Sequence, residues 1–175
     1  MTITDNLNND ISDAPTWFKE SISIKGTELS IDMKDGKITY SKWDSKTESE
    51  NLLIFIHGTG AHKKWWDPIA PQFLNDSNVV AVDLPGMGDS DFRETYSITD
   101  FGRCIFEIIE KEKKEINIEN IYIVGHSLGG QVAAYVASEN KNLVTSLIMI
   151  DTFIRPPDYD PSQHEGGPLR KIKHY

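Results

Sequence analysis

The sequence predicts an α/β protein with a mostly parallel, doubly wound sheet and an antiparallel edge at its amino-terminal side. Apolar stretches of strand length recur along the chain, helical patterns separate them, and a stretch of alternating apolar and polar residues precedes the first. Strands that are apolar on both sides are typical of a parallel sheet covered on both faces. Helices between such strands give right-handed crossovers, so helices are expected on both faces of the sheet.

The antiparallel edge is predicted from residues 21–44. "SISIKGTELSIDM" (residues 21–33) alternates apolar and polar side chains around Gly26, as an outer strand pair or a bent strand does. "DGKITYSKWD" follows, and its Asp35-Gly36 pair is a hairpin turn signal. Residues 1–18 are polar and are predicted to form a tail, so the core domain is expected over residues 19–152.

The parallel strands are predicted from the apolar runs "NLLIFIHG" (51–58), "VVAVDLPG" (79–86), "IYIVGHS" (121–127) and "LVTSLIMIDT" (143–152). Helices are predicted at "KKWWDPIAPQFL" (63–74), "SITDFGRCIFEIIEKEKKE" (97–115) and "SLGGQVAAYVASEN" (127–140). Ser97 or Thr99 is the expected cap of the second helix, and Asp100 in its first turn suits the helix dipole.

The pattern stops after Asp151. Residues 153–175 are rich in proline and glycine and are predicted to be the start of a cap region or a loose carboxyl-terminal tail. A doubly wound sheet normally has more strands on its far side, so the chain is expected to be a partial fold whose later strands are missing.

Composition narrows the classes of function. With 175 residues and a formal net charge of −9, the chain is expected to be one domain that binds neither nucleic acid nor a membrane surface. No apolar run reaches the about 20 residues that span a bilayer. The single cysteine, Cys104, excludes an internal disulfide, and the start lacks a basic leader, so a cytoplasmic location is expected. No cofactor is expected, and no metal site either, because glycines separate His57 from His62.

The motif "GHSLGG" (residues 125–130) places Ser127 at a corner between a strand and a helix. Gly125 and Gly129 lack a Cβ, which allows the strand and the helix to approach closely while the serine takes a strained conformation. The amino terminus of the helix then favours negative charge developing beside Ser127. The motif therefore predicts a catalytic nucleophile. The alternative is a capping serine in a glycine-rich turn.

The motif "HGTG" (residues 57–60) ends an earlier strand, where a second backbone donor for an oxyanion hole is usually found. The amides of Thr59 and Leu128 are the predicted pair. The alternative is an ordinary turn with a buried histidine, and His57 itself is predicted to brace the loop rather than to act as a base. "DLPGMGDSD" (residues 83–91) lacks the lysine of a phosphate-binding loop and is predicted to shape the rim of the site.

These motifs, "HGTG…W", "DLPGMGDS" and "GHSLGG", occur in the order and with the separations of the α/β-hydrolase superfamily, which the chain resembles over residues 21–152. The resemblance is to its ester- and C–C-bond-cleaving group. It implies that Ser127 is the nucleophile, that Thr59 and Leu128 supply the oxyanion hole, and that residues 62–73 form the first helix. Trp65 and Trp66 then line the substrate cleft or pack under the loop.

The resemblance also implies an acid and a histidine after the serine. Asp151 is the candidate acid, since it ends a strand as the acid does in some relatives, although a structural aspartate is the alternative. No histidine is a convincing base. The candidates are His164 and His174, which follow no recognisable strand, His126 beside the serine, and His62 near the cleft.

The sequence therefore predicts a serine hydrolase that acts on a small ester, a thioester or an activated C–C bond by acyl transfer to Ser127. Its partner is a small acyl substrate. Because the base is expected to lie beyond the chain, the activity of these 175 residues is expected to be impaired. The alternatives are a related protein that binds a small ligand without turnover, and an inactive fragment.

Overall fold

The fold is a six-stranded sheet with strand order β1-β2-β4-β3-β5-β6, seen in a computed structural model that describes residues 11–154. The strands are β1 (Thr27–Met33), β2 (Gly36–Trp43), β3 (Asn51–Ile56), β4 (Asn78–Asp83), β5 (Asn120–His126) and β6 (Ser146–Ile150). The helices are α1 (Thr16–Ser23), α2 (Ile98–Glu115) and α3 (Leu128–Glu139), and two 3-10 segments span Lys63–Trp66 and Ala70–Phe73.

The strand directions confirm the predicted sheet. β1 pairs with β2 and β2 with β4 in antiparallel fashion, whereas β4, β3, β5 and β6 run parallel to one another. In the β1–β2 hairpin, Met33 pairs with Gly36. The φ of Gly36 is 117°, a conformation that glycine adopts without the strain a side chain would cause. The result is a mostly parallel sheet with an antiparallel amino-terminal edge.

The two faces of the sheet carry separate apolar cores. Helices α2 and α3 cover one face, where buried side chains such as Ile105, Ile108 and Val132 pack against alternate residues of the central strands. The other face packs against Trp66 and the residues that follow it. Burying each large aliphatic side chain stabilises the fold by about 1.5–3 kcal/mol. α2 begins as predicted, since the Ser97 hydroxyl accepts a hydrogen bond from the Asp100 amide at 3.1 Å.

The strand predicted at the start of residues 21–33 is wrong, because Ser21–Ser23 belong to helix α1. Only two apolar residues alternate there, which is too short a pattern to decide between strand and helix. The Trp43 indole donates a hydrogen bond to the Ile24 carbonyl at 3.0 Å and fixes the end of the helix. Residues 16–18 of the predicted tail also lie in α1, and residues 1–10 lie outside the described part of the chain.

The single helix predicted over residues 63–74 is also wrong, since two 3-10 segments occupy it. Pro68 and Pro71 explain the difference, because proline lacks the amide that an α-helix needs for its hydrogen bond four residues back. The chain instead uses bonds three residues apart, such as the one from the Trp65 amide to the His62 carbonyl at 3.0 Å.

Strand β6 is shorter than the predicted run 143–152 and forms the outer edge of the described sheet. Its apolar side chains are partly exposed, with Ile148 at 56%. The predicted cap or tail over residues 153–175 lies outside the described residues from 155 onward. No helix within residues 11–154 is long and apolar enough to cross a membrane.

Candidate active site

Ser127 lies at a sharp corner between β5 and α3. Its backbone has φ 50° and ψ −114°, a region that residues with a Cβ rarely adopt and that marks stored strain. Two hydrogen bonds hold the corner. The Ser127 amide donates to the Ile150 carbonyl at 2.9 Å, and the Ser127 carbonyl accepts from the Gly130 amide at 3.0 Å. The surrounding structure therefore maintains a conformation that the serine would not take alone.

The glycines beside Ser127 are required by close packing. A Cβ on Gly125 would collide with the Gly129 carbonyl, and a Cβ on Gly129 would collide with the Ile56 carbonyl. Helix α3 therefore approaches both β5 and β3 to a distance that only glycine permits. The motif predicted this close packing, and the structure contains it. Ser127 consequently lies at the carboxyl edge of the sheet.

The Ser127 hydroxyl is half-buried and makes no capping hydrogen bond to α3. The alternative of a capping serine is therefore not what the structure shows. Among residues 11–154, no side chain or backbone group forms a hydrogen bond with this hydroxyl. The hydroxyl therefore has no hydrogen-bonding role in the described part of the fold.

The HGTG loop lies directly beside Ser127. Strands β3 and β5 are neighbours, with Ile56 opposite Gly125, so their carboxyl ends meet at one edge. A Cβ built on Gly58 would lie only 3.2 Å from the Ser127 Cβ. Thr59 is exposed, and its amide forms no backbone hydrogen bond within the described chain. Leu128 is the first residue of α3, where amides have no intrahelical partner.

His57 is fully buried and both its ring nitrogens are occupied. Its Nδ1–H donates to the Gly58 carbonyl at 2.7 Å, and its Nε2 accepts from the Leu84 amide at 3.1 Å. Burial lowers the pKa of His57, so the neutral ring is favoured. His57 therefore joins the HGTG loop to the segment after β4, and neither nitrogen is free to take a proton from Ser127.

Lys63 and Asp83 form a buried ion pair that the sequence analysis missed. Lys63 Nζ lies 2.7 Å from an Asp83 carboxylate oxygen, and the two side chains are 1% and 0% exposed. Burial would raise the pKa of Asp83, but hydrogen bonds from the Asp89 amide and from Lys63 outweigh it and lower that pKa. The sequence did contain a signal for this pair. Asp83 ends an apolar strand, and a charge that is buried there needs a partner.

The two tryptophans separate into different roles. Trp66 is 8% exposed and stacks on Phe55 with ring centroids 4.7 Å apart, so it packs under the loop. Trp65 is 49% exposed and meets His126 edge-on at 4.7 Å. Trp65 therefore contacts the chain neighbour of Ser127.

Asp151 follows β6 at the same edge of the sheet and is exposed, with φ 46°. Its carboxylate has no hydrogen bond or ion pair within residues 11–154, so its role as the acid stays a prediction. None of the described histidines forms a hydrogen bond with Ser127, and His126 Nδ1 is buried without a partner. His164 and His174 lie outside the described residues.

The described residues contain no group of three or more His, Cys, Asp or Glu side chains placed to hold a metal ion. The candidate site brings together the strained Ser127 and the neighbouring amides of Thr59 and Leu128.

Comparison with known proteins identifies the family. A family model for the alpha/beta hydrolase fold matches residues 51–169. This chain belongs to the α/β-hydrolase family. It is similar to a pimeloyl-(acyl-carrier protein) methyl ester esterase of Pseudoalteromonas atlantica, at 33% identity over 57% of this chain and 36% of the relative. It is also similar to a probable lysophospholipase, BODYGUARD 4, of Arabidopsis thaliana, at 30% identity over 82% of this chain and 33% of the relative.

A solved structure supports the same fold. The thioesterase domain from the curacin biosynthetic pathway superposes with a TM-score of 0.67 and 24% identity, covering 80% of this chain and 50% of that one. The chain therefore spans about a third of the length of these two curated relatives and half of the solved domain.

Proposed function

We propose that this chain carries the nucleophile of a serine hydrolase that cleaves a small ester, a thioester or an activated C–C bond. The single observation behind the proposal is the strained Ser127 corner, whose hydroxyl has no structural partner among residues 11–154. Strain of this kind persists where the surrounding structure enforces it, and it clusters at active sites.

In the proposed reaction, Ser127 Oγ forms a bond to the carbonyl carbon of the substrate and loses its proton to a base. The carbonyl oxygen gains negative charge and accepts hydrogen bonds from the amides of Thr59 and Leu128. The bond from the acyl carbon to the leaving group then breaks: the alcohol or thiol, or the stabilised carbanion of an activated C–C bond, leaves with a proton, and the acyl group stays on Ser127. Water cleaves this acyl-enzyme and restores the serine.

The base for these proton transfers is a histidine that residues 11–154 do not supply. His57 bonds to backbone through both nitrogens, and neither His62 nor His126 bonds to Ser127. Asp151 is the proposed acid partner of that base, since it follows the neighbouring strand at the same edge. Without the base, only the acceleration from the oxyanion hole and substrate binding remains.

The proposed substrate class is supported by the relatives. Their names describe a methyl ester esterase, a probable lysophospholipase and a thioesterase domain, which share an acyl group bonded to oxygen or sulfur. The half-exposed Trp65 ring beside Ser127 suits an apolar acyl chain. We place the protein in the cytoplasm, since its one cysteine calls for no oxidising compartment.

Covalent labelling tests the proposal. The 175-residue chain is incubated with a fluorophosphonate, and the labelled peptide is identified by mass spectrometry. We expect slow modification of Ser127 that Ser127→Ala abolishes and Ser138→Ala, on the exposed end of α3, preserves. No modification of Ser127, together with saturable binding of a fatty acid, would favour the alternative of a binding protein without turnover.

A further inference from the structure

The loop of residues 57–63, which carries the Thr59 amide, is fastened to the end of β4 at both of its ends. At the first end, His57 Nε2 accepts from the Leu84 amide at 3.1 Å. At the second end, the Lys63 amide donates to an Asp83 carboxylate oxygen at 2.6 Å. Between these points Thr59 and Gly60 are exposed. The position of the Thr59 amide thus depends on the two attachments.

The ammonium of Lys63 strengthens the second attachment. Lys63 Nζ lies 2.7 Å from Asp83, 2.6 Å from Asp89 and 3.2 Å from Glu28. The lysine and Asp83 are almost fully buried, whereas the Asp89 side chain is 67% exposed. A buried ammonium is tolerated only where carboxylates surround it, so the side chain has one favourable position.

Asp83 is the hub of this group. Besides the two bonds from Lys63, its carboxylate accepts from the Asp89 amide at 2.9 Å and from the Thr39 hydroxyl at 3.0 Å. A Cβ on Gly88, whose φ is 57°, would collide with the same carboxylate. The Asp83 carboxylate therefore connects the HGTG loop, the loop that follows β4 and strand β2.

We propose that Lys63 is a positioning residue: through its ion pairs with Asp83 and Asp89 it fixes the loop of residues 57–63, which carries the Thr59 amide. The inference rests on the proposed function for the role of the loop, but the fastening itself is a property of the fold. If Lys63 served only general stability, its loss would loosen the whole sheet. A positioning role instead predicts a local change, confined to residues 57–63.

Three variants separate these roles. Lys63→Met removes the charge and keeps much of the length, Lys63→Arg keeps the charge, and Lys64→Met removes the neighbouring exposed lysine as a matched control. Amide hydrogen exchange is measured over residues 57–63, with strands β3 and β5 as internal references. The rate of Ser127 modification by a fluorophosphonate is measured on the same samples.

We expect Lys63→Met to speed exchange in residues 57–63 by tenfold or more, with β3 and β5 unchanged, and to slow modification of Ser127 by about tenfold. Lys63→Arg should recover much of both effects, and Lys64→Met should match the native chain. Unchanged exchange in Lys63→Met, or exchange that rises equally in all strands, would overturn the proposal. If Lys63→Met does not fold, Asp89→Asn tests the same contact from its exposed side and should also speed exchange in the loop.

Hydrogen exchange and Ser127 modification test the positioning role of Lys63 and the proposed function separately. If the native chain shows no modification of Ser127, the proposed function fails, yet hydrogen exchange still decides whether Lys63 fastens the loop. If Ser127 is modified and Lys63→Met changes neither readout, the proposed function stands and the positioning role fails.

Discussion

The Ser127 amide donates a 2.9 Å hydrogen bond to the Ile150 carbonyl, which ties the corner after β5 to the end of β6. Ser127 and Asp151, the residue after Ile150, are the non-glycine residues with positive φ within residues 11–154, at 50° and 46°. Backbone strain is thus concentrated at the ends of two neighbouring strands, on the edge where the candidate nucleophile and its candidate acid lie.

Replacing Gly129 should destabilise the fold. In Gly129→Ala the new methyl group meets the Ile56 carbonyl, so α3 must move away from β3. We expect a loss of roughly 1–3 kcal/mol in the free energy of unfolding, measured by urea denaturation. Ser138→Ala, at an exposed position of the same helix, is the control and should change little. A Gly129→Ala protein as stable as the native chain would show that the packing is looser than described.

The two tryptophans should respond differently to truncation. Trp66→Ala removes a buried ring stacked on Phe55 and should cost about 3–5 kcal/mol of unfolding free energy. Trp65→Ala removes a half-exposed ring and should cost much less. It should instead weaken binding of a medium-chain acyl ligand several-fold, as measured by calorimetry. Equal binding by Trp65→Ala and the native chain would remove Trp65 from the substrate site.

Acid stability should depend on Lys63. The pKa of Asp83 lies below its ordinary value of 3.8, so its contribution to stability is complete above that value and is lost as the pH falls through the folded-state pKa. In Lys63→Met one cause of the lowering is gone, so the variant should be less stable than the native chain at pH 7 and should lose less stability as the pH falls. Urea denaturation between pH 3 and 7 measures this. Lys64→Met should stay close to the native profile, and a Lys63→Met profile as steep as the native one would contradict this expectation.

Much of the fold was predictable because its signals are local. The apolar runs of β3 to β6 and the Ser97 cap of α2 each depend on a few consecutive residues. The break of residues 63–74 into 3-10 segments depends on Pro68 and Pro71, whose presence in the sequence was a usable warning. Helix α1 was missed because two alternating isoleucines also fit a helix.

The candidate site was predictable only in part. The Ser127 corner and its neighbouring HGTG loop follow from glycine spacing, which is visible in the sequence. The Lys63–Asp83 pair joins residues far apart in the chain, and nothing in the local pattern pairs a lysine with that aspartate. The role of Trp66 was decided by Phe55 beneath it, a contact that the fold creates.

The 175-residue chain should hydrolyse p-nitrophenyl butyrate weakly or not at all. No described histidine is placed to take the proton of Ser127, and loss of a triad member removes most of the rate. Release of p-nitrophenolate measures this, with Ser127→Ala as the blank. Robust turnover that Ser127→Ala abolishes would contradict the expectation and make His164 and His174 the next residues to replace.

The most direct measurement of the central claim is the site of acylation. The native chain is incubated with p-nitrophenyl butyrate, quenched in acid and digested, and the butyrylated peptides are mapped by mass spectrometry. We expect slow formation of a butyryl ester on Ser127 and none in Ser127→Ala. Butyrylation confined to exposed lysines, with Ser127 unmodified, would contradict acyl transfer to this serine.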